Sequence, residues 1–276
     1  MAIRCVYTDL DGTLLGRGGS LLRDADGAFT LLPVRGLEAC FRADVEVVLM
    51  SGRRRATVAE DARLLGQSAF IFEVGCGLVI DGEETLLTGD ELEPRDGLSV
   101  YDLIERSGAP QLLFDTYPGR LEHHAPWHLG RDISHLMRGR VDTEEADALL
   151  ESRGLGHVRL VDNGAIAPKP SLPDLGGAPH AYHLMPRVAS KASAVAAHMQ
   201  ARGLRPDECV AVGDSREDLG VADVVGRFFL VANAVEKDPA VGAAGAMRPN
   251  VEVTEERNGE GFYEAVVRSL AEARLA

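Results

Sequence analysis

The chain carries several almost uninterrupted apolar runs that each stop at a polar residue: Ile3 to Thr8 before Asp9, Val45 to Met50 before Ser51, and "CVAVGD" from Cys209 to Asp214. Runs of this kind predict strands covered on both faces, as in a parallel sheet held between helices. Between the second run and "AFIFEVG" at Ala69 to Gly75, the residues Val58, Ala59, Ala62 and Leu65 recur at helical spacing. The order is therefore strand, helix, strand, and the fold class expected is α/β. The same texture returns after Pro186. A helix is predicted over Ser190 to Arg202, with Ala192, Val195, Ala196 and Met199 on one face, and it leads to the Cys209 strand. A strand at Phe228 to Val231 and a helix at Gly261 to Ala273 follow.

The middle of the chain reads differently. From about Glu83 it is rich in Gly, Asp and Glu, and the elements expected there are a helix at Leu98 to Arg106, a strand at Gln111 to Thr116, a helix within Thr143 to Ser152, and strands at His157 to Val161 and Ala181 to Met185. "APKPSLPDLGGAP" at Ala167 to Pro179 has the composition of a surface loop. The expected organisation is a core made of residues 1–82 and 187–276 with an inserted α+β domain at 83–186. A net charge of −14, from 29 basic and 43 acidic residues, argues against a broad nucleic-acid or anionic-lipid surface. Any anionic substrate then needs a local pocket of positive charge. The cysteines Cys5, Cys40, Cys76 and Cys209 lack a CxxC pairing and read as reduced core thiols. With no signal peptide and no membrane span, the expected location is the cytoplasm.

Ligands of parallel α/β sheets gather at the carboxyl ends of the strands. Here those ends carry Asp9 and Asp11, then Ser51, Gly52 and Arg53, then Asp214 and Asp218, and Lys191 opens the helix before the last of these strands. Carboxylates converging at one sheet edge repel unless a cation neutralises them, and oxygen ligands suit Mg²⁺. A carboxylate beside such a cation can attack phosphorus to give an aspartyl-phosphate. A second, two residues on, can protonate the leaving oxygen and then activate water. Ser51, the Gly52 N–H and Lys191 supply donors and positive charge to the phosphoryl oxygens.

"DLDGT" at Asp9 to Thr13, "LMSGR" at Leu49 to Arg53, Lys191 in "VASKASAV" and "GDSRED" at Gly213 to Asp218 occur in the order and strand placement of the haloacid dehalogenase superfamily, and the chain resembles its phosphohydrolases. The insert resembles the α/β cap of the Cof-type subclass that includes sucrose-phosphate and mannosyl-phosphoglycerate phosphatases. The resemblance implies a Rossmann-like core with a cap domain and a Mg²⁺-dependent phosphatase for a small phosphorylated metabolite, a sugar phosphate or phosphoglycerate-type sugar. A phosphomutase using the same phospho-aspartate, or a catalytically silent sensor of this fold, are the alternatives. It further implies Asp9 as nucleophile and metal ligand, and Asp11 as acid/base with its backbone carbonyl on the metal. Asp214 becomes a direct ligand, Asp218 a supporting one, and Ser51, Gly52 and Lys191 the phosphate holders. Two positions depart from the pattern: Glu217 stands where relatives commonly have Asn, and "EVGCG" at Glu73 to Gly77 stands where many have Asn-Gly.

Arg53, first of a basic triplet, and Trp127 and Arg131 in the insert are candidates for substrate contact. His123, His124 and His128 lack the accompanying spacing of a zinc site and are expected at the surface or in a cap pocket. Ser51 can also cap the helix predicted after it. "GRGGS" at Gly16 to Ser20 lacks the GK[ST] ending of a nucleotide-binding loop and reads as a flexible turn beside the site.

Overall fold

A computed structural model describes residues 2–167, 170–172 and 176–275. Its larger sheet is built from β1 (Cys5–Asp9), β2 (Glu46–Met50), β3 (Ala69–Phe72), β4 (Gly77–Ile80), β5 (Glu83–Leu86), β10 (Cys209–Gly213), β11 (Arg227–Leu230) and β12 (Val251–Val253), in the order β12-β11-β10-β1-β2-β3-β4-β5. The strands from β12 to β3 run parallel, and β4 and β5 fold back antiparallel at one edge. The smaller sheet, β6 (Leu121–His123), β7 (His135–Gly139), β8 (Val158–Ala165) and β9 (His180–Pro186), is antiparallel in the order β6-β7-β9-β8.

Both faces of the parallel sheet are covered, which is why its strands read as continuous apolar runs. On one face Val6, Val47, Leu49 and Val212 pack with Leu37 and Cys40 of α1 (Leu32–Arg42), Val58 and Ala62 of α2 (Arg55–Leu65) and Phe262 and Val266 of α10 (Asn258–Leu275). On the other, Tyr7, Val48, Met50 and Ala211 pack with Ala194, Val195 and Met199 of α6 (Lys191–Arg202). The first cluster runs on into the inserted module, where α3 (Val100–Ser107), α4 (Ala109–Thr116) and α5 (Thr143–Ser152) bury Ile104, Leu113 and Leu150. The short helices α7 (Arg216–Leu219), α8 (Ala232–Lys237) and α9 (Pro239–Ala246) follow β10 and β11.

Two expectations are corrected. The strand expected at Gln111 to Thr116 is the helix α4. Gly108, at φ +79, ends α3 and starts α4, Pro110 sits in the first turn where its missing N–H costs nothing, and Ala109, Leu113 and Tyr117 are buried at a spacing of one turn. The expected start of the insert at Glu83 falls inside the larger sheet. Asp81 and Gly82, both at positive φ, join β4 to β5 in a tight hairpin, so the sheet continues to Leu86. Part of the loop expected at Ala167 to Pro179 lies outside the described residues. No described helix is long and apolar enough to cross a membrane.

Candidate active site

The parallel strands bring the predicted polar residues to one edge. Asp9 is the last residue of β1, and Ser51 and Asp214 directly follow β2 and β10. Asp9, Asp214 and Asp218 each present a carboxylate oxygen within 4.8 Å of the others. Gly12 makes this approach possible. It lies at φ +96, and a Cβ there would sit 2.3 Å from Asp214 Oδ2. The turn is held from outside by Asn233, whose Nδ2 donates to the Gly12 carbonyl at 2.9 Å.

Lys191 is buried between two of these carboxylates, donating to Asp9 Oδ1 and to Asp218 Oδ1, each at 2.6 Å. Burial opposes its charge, but Asp218 and Asp9 outweigh burial and its pKa is raised. Burial pushes the Asp9 carboxyl up while Lys191 pulls the other way. Asp214 is pushed up to about 6, chiefly by burial, against the pull of Lys237, whose Nζ lies 3.1 Å from its Oδ2. Asp218 is fully engaged. Its Oδ1 accepts from Lys191, and its Oδ2 accepts from the Ser215 hydroxyl at 2.6 Å and from the N–H groups of Asp214 and Ser215. It braces the loop and the lysine, leaving Asp9 and Asp214 with the oxygens better placed to hold a cation.

Ser51 is buried but does not cap α2, which begins at Arg55; its hydroxyl accepts from the Arg53 N–H instead. Asp11 turns outward into a bidentate ion pair with Arg53, at 2.6 and 2.7 Å, and Arg53 also binds Asp61. Arg53 thus meets the second carboxylate of "DLDGT". The Gly16–Ser20 turn lies beside this pair, with Gly19 facing Arg53 and Asp11.

Arg131 comes from the insert to the site; Trp127 stands exposed on the loop after β6. The Arg131 guanidinium is buried, donates to the Gly52 carbonyl at 2.7 Å and pairs with Glu73 at 3.4 Å. Glu73, also buried, accepts from the Ser134 N–H at 2.6 Å, from its hydroxyl at 2.7 Å and from the Asp132 N–H at 3.1 Å. His183 closes the group, with Nδ1 3.1 Å from the Ser134 hydroxyl, and burial together with Arg131 and Lys191 pushes its pKa well down, so the ring is neutral. A Cβ on Gly52 would lie 3.2 Å from both His183 Nε2 and Asn163 Nδ2, so β8 and β9 roof the loop after β2 directly. Of His123, His124 and His128, the first and last stack with ring centres 4.8 Å apart beside Phe114, and His124 is buried.

Ser134, Asn163 and His183 were not singled out by sequence, and Glu73 only as the first residue of the "EVGCG" departure, with no site role assigned to it. Glu73 had a signal, since it directly follows β3 at the ligand-bearing edge; the other three are placed only by the fold of the insert. The segment Glu73 to Gly75 runs at positive φ throughout, including φ +60 at the β-branched Val74. That geometry aims the Glu73 and Val74 N–H groups at the carbonyls of Arg53 and Ser51, each at 3.0 Å. Gly75 then passes so close to Ser190 that a Cβ would lie 2.1 Å from its carbonyl oxygen. Glu217, the residue in place of Asn, accepts from the Lys191 N–H at 3.2 Å and so satisfies a donor in the first turn of α6. Burial raises its pKa while Arg159 of β8 lowers it, so the added carboxylate faces cationic company.

A Rossmann-like sheet with acidic strand ends, a buried lysine and an inserted cap defines a phosphoryl-transfer class, and the comparisons agree. The chain belongs to the haloacid dehalogenase superfamily and is a phosphatase within it, a phosphoric monoester hydrolase for a small phosphorylated substrate. It is similar to a phosphoglycolate phosphatase of Halorubrum lacusprofundi, 30% identical over 236 residues, covering 82% of this chain and 83% of that one. Among solved structures it is similar to the sucrose-phosphatase of Synechocystis, with TM-score 0.66, 15% identity and 99% of both chains covered. A haloacid dehalogenase-like hydrolase from Bacteroides thetaiotaomicron gives TM-score 0.60 and 15% identity over 96% of this chain and 99% of that one. No family model matches the chain.

Proposed function

We propose that the protein is a Mg²⁺-dependent phosphatase for a small phosphorylated hydroxy acid of the phosphoglycolate type, working through an aspartyl-phosphate on Asp9. The observation that carries this reading is the cluster itself: Asp9 at a strand end, one oxygen held by Lys191 and within reach of Asp214. The donor set fits a hard cation, with oxygens of Asp9 and Asp214, the Asp11 backbone carbonyl and, in support, Asp218. Bound there, Mg²⁺ supplies positive charge that makes the crowded carboxylates tolerable and offsets charge on the phosphoryl group. Lys191, the Ser51 hydroxyl and the Gly52 N–H hold the phosphoryl oxygens while Asp9 attacks phosphorus. Asp11, released from Arg53, protonates the leaving oxygen and then takes a proton from the water that cleaves the acyl phosphate.

Two observations favour a small leaving group over a sugar. The polar roof of His183 and Asn163 rests almost on Gly52, and the similar Halorubrum protein is named for phosphoglycolate. The test is phosphate release with Mg²⁺ from 2-phosphoglycolate, a series of sugar phosphates and p-nitrophenyl phosphate, beside Asp9→Asn. The expected result is kcat/KM for 2-phosphoglycolate at least about tenfold above any sugar phosphate. Release no faster than the variant on every compound would overturn the hydrolase mechanism; a sugar phosphate as best substrate would overturn the small-leaving-group reading alone.

A further inference from the structure

At the opposite end of the same sheet lies a second group of donors that phosphoryl transfer does not use. Cys5, Glu46 and Cys209 are the first residues of β1, β2 and β10, and the register places Glu46 and Cys209 on either side of Cys5. Over them α6 lays His198, two turns beyond Lys191. One atom each of Cys5, Glu46 and His198 lies within 4.8 Å of the others. Catalytic Asp9 is four residues along β1, roughly 13 Å away.

The geometry points to a binding site here for a thiophilic divalent transition-metal ion such as Zn²⁺, held by Cys5 Sγ, His198 Nε2 and Glu46 Oε2. His198 is completely buried and its Nε2 has no hydrogen-bond partner among the described residues. Its other nitrogen is fixed, 2.8 Å from the Tyr7 hydroxyl, the outer-partner arrangement that orients an imidazole ligand. Glu46 divides its oxygens: Oε1 accepts from Arg202 at 2.9 and 3.2 Å, while Oε2 faces His198 Nε2 at 3.5 Å, too long for a hydrogen bond. Sulfur, nitrogen and a single carboxylate oxygen form a softer set than the all-oxygen catalytic cluster and select a different metal. A thiolate and a carboxylate balance a divalent charge. Glu46 is partly exposed, which gives an entry path and lets water complete a four-coordinate shell. Binding deprotonates the Cys5 thiol and releases that proton to solvent.

The metal-free alternative is an imidazolium of His198 paired with Glu46, and Co²⁺ spectroscopy separates the two. Metal-stripped full-length protein is titrated with Co²⁺, and the near-ultraviolet thiolate-to-cobalt charge-transfer band is followed. The band is expected in the wild type and in Asp214→Asn, displaced by Zn²⁺, and absent in Cys5→Ser and His198→Gln, with affinity down by at least about a hundredfold. Tyr7→Phe should weaken binding by about tenfold. A wild type without the band, or a band that survives in folded Cys5→Ser or His198→Gln, overturns the proposal. X-ray absorption on Zn²⁺-loaded wild type tests it without any variant: one sulfur and one imidazole in the shell are expected, and an oxygen-only shell refutes it.

Discussion

Lys191 stands between two buried carboxylates, and replacing it tests whether the site is held by charge compensation. Lys191→Met keeps most of the side chain's volume and removes the ammonium that reaches Asp9 and Asp218 at 2.6 Å. Breaking a buried ion pair from one side costs about 3–5 kcal/mol, because the surviving charge is left without a partner. For a chain of this length that corresponds to a melting temperature lower by roughly 5–9 °C. The loss should depend on pH. Asp9, already pushed up by burial in the wild type, loses its opposing influence in the variant, so its folded pKa rises further above the unfolded value. A carboxylate raised in this way destabilises the fold when ionised, and the deficit shrinks as pH falls toward the unfolded pKa. Urea denaturation with EDTA, at pH 7 and pH 5, should give a larger deficit at pH 7. Adding Asp218→Asn should recover part of it, since one stranded charge is gone. A cost below about 1 kcal/mol, or a deficit equal at both pH values, would refute charge compensation as the organising principle of the cluster.

Asp214, at about 6, holds a proton that a cation must displace below that pH, so Mg²⁺ affinity measured by calorimetry should be about tenfold weaker at pH 5 than at pH 7; an unchanged affinity would contradict it. Gly12→Ala drives a Cβ to within 2.3 Å of Asp214 Oδ2 at a backbone angle that disfavours alanine. It should therefore lower Mg²⁺-dependent phosphate release by at least about a hundredfold, with far-ultraviolet circular dichroism unchanged.

The centre of the parallel sheet was open to sequence reading because β1, β2, β3, β10 and β11 are largely buried and read as apolar runs that end at the ligand edge, whereas the half-buried edge strand β12 (Val251–Val253) gave no such run. Asp9, Ser51, Lys191 and Asp214 could therefore be placed from pattern and position. The insert was harder. "QLLFDT" is a short apolar run whose composition suits either period, and its burial at Ala109, Leu113 and Tyr117 decided for helix. β5 escaped because "EETL" is an exposed edge strand with no apolar alternation, specified instead by the Asp81-Gly82 turn. The carboxylate partner of Arg53 and the roof of Asn163 and His183 depend on contacts between segments tens of residues apart, which no local spacing encodes.

The hydrogen bond from Arg131 to the Gly52 carbonyl fixes more than a distance. Any swing of the small sheet away from the strand ends must part a guanidinium from a carbonyl, forfeiting about 1.5–3 kcal/mol, so this contact alone weights the equilibrium toward closure by roughly ten- to a hundredfold. Because Arg131 also leans on Glu73, whose own N–H is tied to Arg53, the latch is fastened to the loop that flanks the phosphate site. Arrival of substrate and departure of product by such a swing would each require this contact to part, which ties access to the phosphate site to the same residues that flank it.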